Sequence, residues 1–195
     1  VGAVAWTLNL GGGALMLGFI GGLVLGMVNA FSKTVKPALA IAYAAFQGLA
    51  LGTLSHLYNT VYDGIVSQAI LVTISAFAGM LFAYKSGRIR VTPKFTKVLT
   101  TALIGYLVLG LVSFVAYLFT GSSVYNVGGL GLIIATGGMV LAAFFLILDF
   151  DSIQNGIAAG APESESWRAA FGLMVTIIWL YMEVLRVLSI LRGND

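Results

Sequence analysis

Three acidic side chains and one arginine stand where the surrounding sequence is almost wholly apolar, and through them this chain could do chemistry. Asp149 follows the uninterrupted apolar run 139–148, and Asp151 comes two positions later, in Leu148-Asp149-Phe150-Asp151. Two residues correspond to about 200° of an α-helix, so the two carboxylates cannot share a face. Asp149 is the group set into apolar surroundings, where it could accept a proton or help to hold a cation; Asp151 reads as an interfacial group. Glu183 and Arg186 are three apart and share a helix face. They neutralise each other, or Arg186 reaches toward the headgroups, or Glu183 lines a path for cations. The chain has no cysteine and a single histidine, His56, which excludes a disulfide scaffold, zinc-thiolate and iron–sulfur sites, and a bis-histidine haem. No nucleophile–base pair is visible, so the expectation is a protein that is not an enzyme and has no resident cofactor.

These groups must be positioned by elements that live in lipid. Of 195 residues, 59% are hydrophobic and 9% charged, against roughly 25% charged in a soluble domain. Six long apolar segments, at about 13–31, 38–57, 66–84, 98–120, 129–150 and 167–191, are each long enough to cross a ~30 Å hydrocarbon layer as a helix. The connections are short, so 1–195 reads as one all-α transmembrane helical domain, a polytopic bundle. The apolar start at Val1–Trp6 reads as the tail of a further spanning helix.

Charge assigns the sides. Lys33 and Lys36 lie in the first connection, and Lys85, Arg88, Arg90, Lys94 and Lys97 surround the third, whereas the second and fourth have no Lys or Arg. The positive-inside rule makes the odd-numbered connections cytoplasmic, and the net charge of +3 is spent on topology rather than on nucleic acid. Gly18, Gly22 and Gly26, like Gly48 and Gly52, recur every four residues, a spacing that lets helix backbones approach closely. Gly11-Gly12-Gly13 lacks the Lys-Ser/Thr of a phosphate loop. Tyr58, Tyr62, Trp167 and Trp179 read as interfacial anchors or packing residues.

The segment Leu-Ile-Leu-Asp-Phe-Asp-Ser-Ile-Gln at 146–154, with Phe-Gly-Leu-Met-Val-Thr at 171–176 and Trp-Leu-Tyr-Met-Glu-Val-Leu-Arg at 179–186, closely resembles the transmembrane Bax inhibitor motif family, in its bacterial YccA-like branch. Tyr-Ala-Ala-Phe-Gln-Gly-Leu-Ala-Leu-Gly at 43–52 and Tyr-Lys-Ser-Gly-Arg-Ile-Arg-Val-Thr at 84–92 extend the likeness over nearly the whole chain. The resemblance implies a seven-helix fold, of which this sequence holds six complete transmembrane helices and a stub of the first. It implies a multi-pass protein of the cell (inner) membrane and a calcium leak modulated by pH, in which two aspartates on the last two core helices share a proton and an arginine of the second helix acts as latch. Asp149 matches the first aspartate and becomes the implied calcium or proton site. Thr176 stands at the place of the second, and Glu183 is on a similar face ~10 Å farther along. The second helix has no arginine, and Asn29 is its nearest polar residue to that latch. Asp149, Asp151, Thr176, Glu183 and Arg186 are therefore the pore or gating candidates. Expected partners are the lipid bilayer and calcium ions. The alternative is an interaction protein that modulates a larger membrane complex such as a membrane protease, with other membrane proteins as partners.

Overall fold

The computed structural model describes residues 1–8, 11–32, 34–121 and 129–193. Among these the protein is all-helical, in the order α1 (Gly2–Leu8), α2 (Gly11–Phe31), α3 (Pro37–Val61), α4 (Ile65–Lys85), α5 (Pro93–Thr120), α6 (Leu130–Ala158) and α7 (Ser164–Gly193). Lys33 of the first connection and residues 122–128 of the fourth lie outside the described residues. Six helices, α2 to α7, are long and apolar enough to cross a membrane. Even the 21-residue α2 and α4 reach about 31 Å at ~1.5 Å per residue, the thickness of the hydrocarbon. In that medium a helix is the single-segment solution that satisfies every backbone N–H and C=O internally.

Three helices outrun their apolar cores. α5 begins at Pro93 rather than 98, because Thr92 caps it by accepting from the Phe95 amide at 3.2 Å and Pro93 occupies its first turn. Lys94 and Lys97 are thus helical residues, and the third connection shrinks to 86–92. α6 continues through Asp149, Asp151 and Asn155 to Ala158 rather than stopping at 150. It ends where Gly160 turns left-handed (φ 67°) and the Ala161 amide bonds to the Gly156 carbonyl, with Pro162 beyond. α3 likewise runs to Val61 rather than 57, and the Asn59 side chain accepts from the amide of Gly64, which is left-handed at φ 73°. Polar residues near these ends change the medium around the helix without interrupting its hydrogen bonds.

Contacts divide the chain into two compact units, Val1–Ser67 with Ser152–Ile178, and Gln68–Asp151 with Trp179–Asp195. In the first unit, α3 receives α1 and α2 on small-residue faces. A Cβ on Gly18 would fall 2.6 Å from the Ala50 amide nitrogen, and one on Gly22 2.7 Å from Gln47 Nε2, so the four-residue glycine spacing serves close packing. Tyr43 stacks edge-on against Phe171 at 5.0 Å, in a cluster with Val35 and Ala40. Asn29 is fully buried there and donates to the Leu39 carbonyl at 3.3 Å. In the second unit, aromatic pairs carry much of the packing: Phe77 with Phe150, Phe95 with Phe144, and Trp179 with both Tyr106 and Phe145.

Candidate functional site

The candidate carboxylates occupy three different environments. Asp149 sits about nine residues, or roughly 13 Å, before the end of α6, just past the apolar run 139–148. Its side chain is half-buried, with Oδ2 shut off from solvent, between the buried Ile147 and Phe150. Asp151 is also half-buried, and its Oδ1 accepts from the Tyr84 hydroxyl at 3.1 Å. Tyr84 comes from the last turn of α4 and packs its ring against Phe150.

Glu183, on α7, is 4% exposed. Its Oε1 accepts from the Tyr106 hydroxyl at 2.5 Å and from Trp179 Nε1 at 3.2 Å, while Arg186 Nη1 approaches Oε2 at 3.4 Å. Three donors thus meet a group that, when ionised, only accepts. Such satisfaction is what makes a buried carboxylate tolerable, since an uncompensated one costs several kcal/mol. Arg186 keeps its side chain 40% exposed, so the pair is only partly buried on the arginine side. Glu183 and Arg186 are therefore joined as one of the sequence alternatives had it, and α5 is tied to α7 through Tyr106.

This clasp needs space. Gly138 of α6 is buried, and a Cβ there would stand 2.6 Å from the Tyr106 hydroxyl oxygen. Glycine at that position lets the phenol pass on its way to Glu183. Sequence reading missed Tyr106, Tyr84 and the donor role of Trp179. The signal for Trp179 was present, because it precedes Glu183 by four residues and shares its face. A hydroxyl in the middle of an apolar span, as at Tyr106, also calls for a partner, but nothing local names it. Tyr84 and Asp151 are 67 residues apart, and no spacing links them.

Thr176 belongs to the other unit, where it is buried and donates to the Gly172 carbonyl one turn back at 3.2 Å. His56, in that same unit, stacks edge-on against Trp6 at 5.5 Å. Among the described residues no three His, Cys, Asp or Glu side chains gather into a group that could hold a metal ion. A calcium ion meeting Asp149 would need carbonyls, amides or water to complete its six to eight oxygens.

Comparison with curated proteins and with solved structures found no significant match. A model of the Bax inhibitor 1 like family matches residues 1–193, which takes in α1, all six membrane-length helices and every carboxylate described above. With a match over nearly the whole chain and six helices able to span a bilayer, this multi-pass membrane protein belongs to the Bax inhibitor 1 like family.

Proposed function

We propose that the protein is a passive cation conduit of the cell membrane, with calcium as the permeant ion and Asp149 as the acidic group the ion meets. The observation that carries this reading is the setting of Asp149: a half-buried carboxylate at the end of the apolar run of a membrane-length helix, with one oxygen closed off from solvent. Ionisable groups set into apolar surroundings are costly and default to a transport or proton-handling role. Asp151 reads as an interfacial group, and an ion at Glu183 would have to displace three donors. The reading also makes the leak pH-sensitive, since a proton on Asp149 removes the charge that attracts a hard, oxygen-seeking cation. It assigns the protein no catalytic step and no resident cofactor.

The alternative, a modulator of a larger membrane complex, would need helix faces available to a partner. The four-residue glycine faces at Gly18 and Gly22 are not free for this, since α3 covers them within the chain itself. Calcium entry into liposomes, followed across pH 5–8 for the native chain and Asp149→Asn, separates the two. The conduit reading expects native flux that falls toward low pH, and an Asn variant whose flux is changed and no longer follows pH. Silence of both well-folded proteins would end it in favour of the modulator.

A further inference from the structure

Along the second unit, α5 and α6 enclose an open groove of about 420 Å³, within the range of small-ligand sites. Leu99, Tyr106 and Leu109 of α5 and Phe144 of α6 are among its walls, and Gly105 and Gly137 form low points. A Cβ on either glycine would meet nothing within 4 Å. From Leu99 to Leu109 the groove follows α5 for ~15 Å. Beside it α5 exposes Ile104, Leu107 and Val108, so it opens into the hydrocarbon. An unfilled trough there would forfeit dispersion contacts along its lining, which a flexible apolar chain restores.

The segment that leads into α5, ahead of the Leu99 end of this groove, is strongly basic. Arg88, Arg90 and Lys94 are exposed, and none is ion-paired with another described residue. No acidic residue occurs between 84 and 97. Lys94 precedes Leu99 by five residues, ~7.5 Å along the axis, and shares a helical strip with Gly105, about 20° away after eleven residues. Lys97 is about 180° from Tyr106 and so is turned from the groove.

We propose that this groove is a binding site for one anionic phospholipid, its acyl chain along Leu99–Leu109 and its phosphate between Arg90 and Lys94. The inference does not depend on the cation-conduit reading. Basic residues at a membrane surface attract anionic headgroups, and an adjoining apolar trough turns that attraction into a defined site.

The test is native mass spectrometry of the detergent-solubilised chain with equimolar phosphatidylglycerol and phosphatidylcholine. One phosphatidylglycerol should be retained with about tenfold or greater preference, given two cations at the headgroup. Arg90→Gln/Lys94→Gln should bring the two lipids near parity, whereas Lys97→Gln should leave the preference intact. Gly105→Leu and, separately, Gly137→Leu should fill the groove and displace both lipids while helicity is kept. Equal retention by the native chain, or equal effects of Lys97→Gln and the double change, would overturn the site. So would lipid retention in both leucine variants, or displacement by millimolar glycerol 3-phosphate, which would make it a free-phosphate site. Loss of fold in both leucine variants would contradict the open space around these glycines and count equally against it.

Discussion

Replacing Tyr106 by Phe removes the hydroxyl from the Glu183 clasp and keeps the ring. The ring remains against Trp179, and no cavity larger than a hydroxyl is left. The lost bond is the short one, 2.5 Å to a carboxylate oxygen that is otherwise reached by Trp179 at 3.2 Å. Hydrogen bonds to charged groups contribute about 1.5–3 kcal/mol, and the buried setting places this one toward the upper part of that range. Against the native chain, Tyr106→Phe should therefore cost roughly 2–3 kcal/mol. Against Glu183→Leu it should cost less than about 0.5 kcal/mol, because the acceptor is already gone, giving a coupling of about 1.5–3 kcal/mol. The assay is reversible unfolding in mixed micelles, followed by far-ultraviolet circular dichroism for the four members of the cycle. Equal losses in both backgrounds, or a native-like Tyr106→Phe, would refute the idea that this hydroxyl compensates a buried charge.

Arg186→Leu alone should destabilise by about 1–2 kcal/mol, below the 3–5 of a fully buried pair because Arg186 is 40% exposed. Adding Glu183→Gln, which removes the charge but keeps an acceptor for Tyr106 and Trp179, should recover most of that loss, and matching unfolding midpoints for the single and double variants would count against a paired charge. Gly18→Ala should cost roughly 1–3 kcal/mol, since the added methyl meets the Ala50 backbone, which cannot swing away. Adjacent glycines of α6 should behave oppositely under alanine substitution: Gly138 loses stability against the Tyr106 hydroxyl, while Gly137, in open space, gains up to ~1 kcal/mol of helix propensity. Unfolding of the two alanine variants side by side checks that sign reversal.

The fold was legible because its signal is repeated over whole segments. Each span is a predominantly apolar stretch of about twenty residues, with no charged residue in 98–120 and one, Asp149, in 129–150. The ends were less legible, since they depend on single caps. Thr92-Pro93 starts α5 while its neighbours Lys94 and Lys97 suggest a loop, and Gly160-Ala161-Pro162 stops α6 after four polar residues that suggested an earlier end. At the site, the Glu183–Arg186 pair could be read because three residues of helix fix it. Tyr106 and Tyr84 could not be assigned, because their partners lie on other helices and the pairing is set by packing such as the gap at Gly138.

Tyr106 joins two features that were separate in the sequence. Its ring forms part of the wall of the α5–α6 groove, and its hydroxyl is held by Glu183 of α7. If the clasp fixes the ring in the position that shapes the groove, a lipid bound there and the hydrogen bond to Glu183 stabilise the same arrangement. Reciprocity then requires each to strengthen the other by one common factor. Tyr106→Phe preserves the apolar wall but releases the tether, so the ring and its neighbours sample more positions. Retention of phosphatidylglycerol and of phosphatidylcholine should fall together, because the change loosens the chain site and leaves Arg90 and Lys94 in place. Conversely, added phosphatidylglycerol should raise the unfolding midpoint of the native chain more than that of Tyr106→Phe. Loss of stability in the phenylalanine variant with undiminished lipid retention would show that the groove keeps its shape without the clasp, and the two features would then be independent.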